Sequence, residues 1–177
     1  MESRFIFLDR DGVINVDRAS SVCHRSELEL IDGVPNAIQM LNDKGYQVIV
    51  ITNQACVGRG DLDPAELEKI HAKMARGINQ SGGSIEDIYV CSHTDEDDCT
   101  CRKPKPGLLI QAENDYRIEL DDTWFIGDDK RDMQAAIAAG CKPGVVRTGK
   151  GALWTPPNEV PVFEDLHYFA SHVPPTE

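Results

Sequence analysis

The sequence predicts an α/β fold in one domain, a parallel sheet with helices on both faces. Three observations predict it. Short apolar runs of strand length alternate with longer helical stretches along the chain. A length of 177 residues suffices for one core and is too short for two comfortable ones. The residues just after the apolar runs are acids, a hydroxyl, an amide and a lysine, at the strand ends where open α/β sheets bind ligands.

RFIFL (4–8) is the first strand and ends on DRDGV. The helix expected at 34–44 stops at Gly45, a residue suited to the position just past a helix. YQVIVI (46–51) is β-branched and continuous, as a strand buried on both faces should be, and ends on TNQ. The helix expected at 64–80 has Asp63 to cap it and Pro64 at its first turn. IEDIYV (85–90) leads into a Cys/His loop and then CRKPKPG. A helix at 105–117 follows, then TWFIG (123–127) ending on DDKRD, a helix at 130–140 closed by Gly140, and the strand GVVRT (144–148). From about 149, GKGALWTPPNEVP reads as a loop and FEDLHYFASHV as a closing helix. No repeat, linker or low-complexity segment interrupts this order, so residues 1–177 are expected to form a single domain.

Composition narrows the function classes. No apolar run approaches the roughly 20 residues that span a bilayer, so no membrane role is expected. The N-terminal run meets charge again at Asp9, too soon for the apolar region of a secretory signal, and a cytoplasmic protein is expected. A net charge of -12 with no basic stripe repels nucleic acid and anionic surfaces. A small phosphorylated ligand remains compatible, because a pocket needs only a few local cations and N–H groups. Six cysteines in a reducing compartment point to metal more than to disulfides.

An Asp-x-Asp pair is weak in so acidic a chain, and Asp61/Asp63 and Asp95/Asp97 repeat the spacing where a solvated turn suffices. Asp9 and Asp11 stand apart because they directly end a buried strand, where two carboxylates without a use are costly. FLDRDGVIN, VITNQ, CRKPKPG and FIGDDKRDMQAAIAAGC, in this order on successive strand ends, resemble the four motifs of the haloacid dehalogenase-type phosphatases over about residues 4–151. Within them the chain is most similar to the D,D-heptose 1,7-bisphosphate 7-phosphatase branch, through DRDGVIN, the TNQ…RG loop, the Cys-x-His…Cys-x-Cys loop, RKPKPG and RTGKG. The histidinol-phosphate phosphatases, near relatives with a similar metal loop, are the alternative. The resemblance implies a Rossmann-like sheet without a large cap domain and a monomeric, Mg²⁺-dependent hydrolase of a small phosphorylated sugar, serving nucleotide-activated heptose and lipopolysaccharide core biosynthesis. A zinc-bearing binding module without turnover is the reading from a different class.

Phosphoryl transfer through a covalent intermediate needs a carboxylate nucleophile beside a divalent cation. On this resemblance Asp9 is the nucleophile, Asp11 the general acid and base, and Gly12 permits the turn between strand and loop. Mg²⁺ would be held by Asp9, the Asp11 carbonyl and Asp128, with Asp129 and Asp132 as neighbouring competitors. Asp132 either supports the metal site or favours the start of the next helix. Thr52 and Asn53 would hold phosphoryl oxygens, although a helix cap or Asx-turn would also use such residues. Lys103 is the screening cation, with Lys105 the alternative. Asp17, Asn53, Gln54, Arg59, Arg102, Lys103 and Asp129 are expected around the substrate, in segments about 17–23, 55–60 and 91–103. Relatives usually place an aromatic within Arg18–Val22, a serine at Ala55, a proline at Ser92 and Ser or Lys at Asp129, so selectivity is the least legible property.

Cys91, His93, Cys99 and Cys101 supply three thiolates and an imidazole, the donor set of a closed tetrahedral structural Zn²⁺ site. Free thiols and a catalytic metal are the rival readings, and the resemblance favours structural zinc. Residues 95–98 are read as a solvated acidic tip, Cys23, Cys56 and Cys141 as core or incidental, and His24, His71, His167 and His172 as lacking metal-like spacing. Trp124 reads as strand core, while the tail's Trp154 either packs on the domain or lines a pocket.

Overall fold

A computed structural model of the chain describes residues 4–176. The N-terminal reading of Met1–Ser3, the last residue Glu177 and hence the full 1–177 extent lie outside the described residues. One sheet of six strands carries the fold, β1 (Arg4–Leu8), β2 (Tyr46–Asn53), β3 (Asp87–Cys91), β4 (Trp124–Gly127), β5 (Lys142–Val146) and β6 (Val162–Phe163), in the spatial order β3-β2-β1-β4-β5-β6. All neighbouring strands are parallel. The described residues form six α-helices, α1 (Val34–Asp43), α2 (Ala55–Gly58), α3 (Pro64–Asn79), α4 (Gly107–Tyr116), α5 (Lys130–Ala139) and α6 (Leu166–His172).

Strand alternation divides the core in two. Ile6, Leu8, Val48, Val50 and Ile126 enter one apolar cluster with α1, α3 and α6, whereas Phe5, Phe7, Ile49, Ile51 and Phe125 enter the other with α4 and α5. Both faces are therefore covered, which is why the central strands read as unbroken apolar runs. The chain reverses direction across the sheet between β1 and β4, so a crevice opens beyond their carboxyl ends.

The anticipated element ends hold where a cap enforces them. Asp63 accepts the Ala65 N–H at 2.7 Å, and Gly45 and Gly140 take φ of 92° and 85° past α1 and α5. Two differences have physical causes. The fifth strand starts at Lys142 rather than 144 and includes Pro143, which is tolerated because β6 pairs only with Val145 and Val146. β6 itself, two residues at the sheet edge, is too short to leave a period. The tail docks firmly, with the Lys44 ammonium donating to the carbonyls of Ala170, Ser171 and Val173 at the end of α6.

Candidate active site

Four strand ends meet around one buried ammonium. Lys103 Nζ lies 3.0 Å from Asp9 Oδ1 and 2.7 Å from Asp132 Oδ1, donates to the Ile51 carbonyl at 2.9 Å, and stands 5.4 Å over the Phe125 ring. Its backbone is held by a reciprocal pair of 3.1 Å hydrogen bonds with the Asn53 amide, so Asn53 positions the lysine-bearing loop against β2. Burial would lower the Lys103 pKa, but Asp132 and Asp9 outweigh it and hold the ammonium charged. Lys105, the alternative, pairs instead with Asp98 at the surface.

Asp9 is 8% exposed and follows β1 with its N–H donating to the Ile126 carbonyl. Burial first, then the charge of Asp132, push its carboxyl well above the usual range, and Lys103 opposes them. Asp128, at the end of β4, is pushed up to about 7 by burial and then by Asp132. One oxygen from each of Asp9, Asp128 and Asp132 lies within 4.8 Å of the others. Asp132 favours the start of α5, where Oδ2 accepts the N–H groups of Asp128 and Asp129, while Oδ1 receives Lys103.

Asp11 Oδ1 accepts from Arg10 Nη2 and Asn15 Nδ2, both at 2.9 Å, and Oδ2 accepts from Gln54 Nε2 at 2.8 Å. Burial would raise its pKa, but Arg10 and the hydrogen bonds from Asn15 and Gln54 bring it below the usual value. Gln54 also donates to the Thr52 hydroxyl at 2.9 Å; Thr52 is fully buried beneath the crevice, and Asn53 and Gln54 line it. Arg10 has 0% exposure, and its Nη1 meets His71 Nε2 at 3.2 Å. Neither Arg10 nor His71 was singled out for the site from sequence, since a cation between two acids reads as surface and His71 sits 61 residues away.

The RTGKG segment closes the other side. Thr148 Oγ1 donates to the Gly12 carbonyl at 2.6 Å, the Lys150 N–H donates to Asp128 Oδ2 at 2.8 Å, and Trp154 Nε1 donates to the Asp128 carbonyl at 2.9 Å. Gly12 and Gly149 have φ of 83° and 59°, and a Cβ on either would run into the Asp128 carboxylate. The expectation for Gly12 thus stands, with a steric reason added. Trp154 packs against Met133, Val145 and Val160 while its N–H steadies Asp128. Nothing in the tail's composition signalled that contact.

The crevice, about 270 Å³, places Asp17, Arg59, Arg102 and Asp129 on its wall together with Arg18, Arg131 and Lys150. Arg59 pairs with Asp61 at 3.0 Å, and Arg102 pairs with Asp95 at 2.6 Å. Asp129 caps α5 through the Arg131 N–H and meets Lys150 at 3.3 Å. Asp95 and Asp98 are exposed at the acidic tip as expected, yet they are not idle: Asp95 anchors Arg102, Asp97 accepts the Thr94 N–H, and Asp98 holds Lys105.

Cys91 at the end of β3 brings its Sγ 3.7 Å from Cys99 Sγ and 3.7 Å from His93 Nδ1; Cys99 and Cys101 are 3.6 Å apart, and His93 Nδ1 is 3.2 Å from Cys101. A tetrahedron with bonds of about 2.3 Å to sulfur has S–S edges of about 3.7 Å; the two edges at Cys99 match it, whereas Cys91 Sγ and Cys101 Sγ, 2.8 Å apart, would have to separate by about 1 Å for the four donors to hold one Zn²⁺. Burial pushes the Cys91 thiol up to about 12, while Cys99, despite burial, falls to about 6 through backbone N–H groups of Arg102 and Cys101. A bound dication would favour all three thiolates.

The carboxylate cluster fits a second cation. Fully ionised, Asp9, Asp128 and Asp132 would set three negative charges against the one positive charge of Lys103, an excess that a cation would relieve. Asp9 Oδ2 and Asp128 Oδ1 have no protein partner among the described residues, whereas both Asp132 oxygens are engaged. Two free oxygens on converging buried carboxylates suit a hard, oxygen-seeking ion such as Mg²⁺.

Residues 100–167 match the family described as HAD-hydrolase-like. The chain is 42% identical to the D-glycero-beta-D-manno-heptose-1,7-bisphosphate 7-phosphatase of Neisseria meningitidis, over 96% of this chain and 94% of that one. It is 40% identical to the enzyme of the same name from Pseudomonas aeruginosa, over 97% and 98%. The crystal structure of D,D-heptose 1,7-bisphosphate phosphatase from B. bronchiseptica, complexed with magnesium and phosphate, superposes with a TM-score of 0.91 at 39% identity, covering 95% of this chain and 96% of that one. With identity of this order over nearly the whole chain, the chain belongs to the heptose 1,7-bisphosphate 7-phosphatase family of the HAD-like hydrolases.

Proposed function

We propose that this chain hydrolyses the 7-phosphate of D-glycero-β-D-manno-heptose 1,7-bisphosphate. The observation that carries the reading is the buried Asp9 with a free carboxylate oxygen beside Lys103 and Asp128, in a family whose curated members act on that substrate. Asp9 attacks phosphorus as the P–O bond to the C7 oxygen breaks, and Asp11 gives that oxygen a proton, which Asp11 takes up as the anionic phosphate arrives, since Arg10, Asn15 and Gln54 favour its carboxylate in the free protein. Asp11, now a carboxylate, takes a proton from water, the water oxygen attacks the aspartyl-phosphate, and Asp9 is released with inorganic phosphate. Lys103 screens the nucleophile from the phosphoryl charge, and Thr52, Asn53 and Gln54 organise the second strand end. Asp9, the Asp11 carbonyl and Asp128 would hold Mg²⁺, whose charge offsets that of the phosphoryl oxygens when bound. Arg59, Arg102, Asp17 and Asp129 contact the sugar and its second phosphate; Cys91, His93, Cys99 and Cys101 hold structural Zn²⁺.

The product feeds nucleotide-activated heptose and lipopolysaccharide core assembly, with the enzyme acting in the cytoplasm as a monomer. Among the described residues no helix is long and apolar enough to cross a membrane. A phosphate-release panel with both anomers of the heptose bisphosphate and with histidinol phosphate tests the substrate: faster turnover of histidinol phosphate overturns the reading. Asp9→Asn should lower turnover at least about a thousandfold while fold and zinc content persist. An unaffected rate removes Asp9 from its role.

A further inference from the structure

We infer that His71, on α3, is a positioning residue for the general acid: it aims the buried Arg10 guanidinium, which in turn sets the Asp11 carboxyl. The inference rests on the proposed role of Asp11. Arg10 lies between the two functional aspartates, yet its side chain turns inward and is among the largest fully buried side chains of the described residues. Its main chain is committed to the turn, with the N–H on Asp9 Oδ1 at 2.7 Å and the carbonyl accepting the N–H groups of Val13, Ile14 and Asn15. The guanidinium makes two end-on contacts, Nη2 to Asp11 and Nη1 to His71, while Nε is buried with no partner among the described residues.

A buried guanidinium that leaves its Nε–H unsatisfied is not arranged for its own hydrogen bonding. Its geometry serves the two groups it reaches. Arginine only donates, so His71 Nε2 accepts and the ring proton sits on Nδ1. Burial, then the Arg10 charge, lower the His71 pKa to about 4, which keeps the ring a neutral acceptor at neutral pH. Two arms reach Asp11 from other elements, Asn15 from the turn and Gln54 from the end of β2, but the Arg10 arm alone is fixed from a helix across the core face. Without an acceptor at 71, Nη1 would also be orphaned, and the guanidinium would turn away from Asp11 to satisfy it.

The test compares His71→Leu, which fills similar volume without an acceptor, with His71→Gln, which restores one. A general acid matters for an alkoxide leaving group and little for an activated aryl one, and kcat/KM reports only steps through transfer to Asp9. With the heptose bisphosphate, His71→Leu should lower kcat/KM by about tenfold or more through kcat, with KM little changed. With p-nitrophenyl phosphate the loss should stay under about threefold, and His71→Gln should recover most of the sugar-phosphate rate. Equal losses on both substrates, or no loss on either, overturn the positioning role. Nitrogen-15 histidine NMR of the unaltered protein gives an independent check, since a His71 ring protonated at Nε2 at neutral pH also overturns it. Should the unaltered enzyme release no phosphate from the sugar while the NMR shows the expected tautomer, the substrate assignment fails and the Arg10–His71 geometry stands.

Discussion

Asp9 and Asp128 are ionisable groups that this fold makes unfavourable to ionise, because burial and the Asp132 charge raise both carboxyl pKa values. Such carboxylates are retained where a cation is to be bound, since they then hold the charge that the ion requires. His71 carries the opposite cost. Its folded pKa, near 4, lies below the ordinary 6.5, so the unfolded chain binds the proton first. Stability is therefore fully present above about pH 6.5 and declines as pH falls toward 4, by up to about 3 kcal/mol for this one residue. Urea unfolding midpoints between pH 7.5 and 4.5 should drop more steeply for the unaltered protein than for His71→Leu. Parallel decline of the two removes His71 from the acid-labile set.

Three elements each arrive at the site with a device of their own. In the loop from β3 to α4, Cys91 is anchored on the sheet, Cys99 and Cys101 lie beside it, and the next two residues are Arg102 and Lys103. A zinc ion bound there, as proposed, would shorten the free path between sheet and lysine and contribute to folding directly. Purified protein should carry about one zinc per chain, and Cys99→Ser should lose it, with activity reduced by roughly tenfold or more and faster proteolysis near Lys103. Full activity in zinc-free protein contradicts the clasp. The segment after β5 works without metal, through Thr148, Lys150 and Trp154 placed around Gly12 and Asp128. At α5, the capping residue Asp129 and the third residue Asp132 do double service, since the same carboxylates that satisfy the helix start also pair with Lys150 and Lys103.

For the molecule as a whole, charge has to be managed between the surface and the site. The chain carries -12, which disfavours an anionic substrate at long range. The crevice wall balances six cationic side chains, Arg18, Arg59, Arg102, Arg131, Lys103 and Lys150, against six carboxylates, Asp9, Asp11, Asp17, Asp128, Asp129 and Asp132. A dication tips that balance positive, so inorganic phosphate should bind well only in its presence. Thermal unfolding checks this: about 10 mM phosphate should raise Tm by a few degrees with Mg²⁺ and by much less without it. An equal shift in both conditions shows that the side chains alone hold the anion.

What the sequence by itself determined is local or periodic. Continuous apolar runs marked the buried strands, Asp63, Gly45 and Gly140 marked helix ends, and the polar residues after each run marked where a site had to be. The Cys91, His93, Cys99 and Cys101 cluster was legible because all four donor side chains fall within eleven residues. Only the tertiary structure decided what Arg10, His71, Asp132 and Trp154 do. Arg10 was read as part of a charged motif, and its burial depends on α3 presenting His71 from 61 residues away. Trp154 gained its role from β5 and the close pair Gly12 and Gly149, and Asp95 from where the loop turned Arg102. Hydrophobic period and capping act between residues a few positions apart and leave a trace in the chain. A hydrogen bond between distant residues is set by how the sheet stacks its helices, and it leaves none.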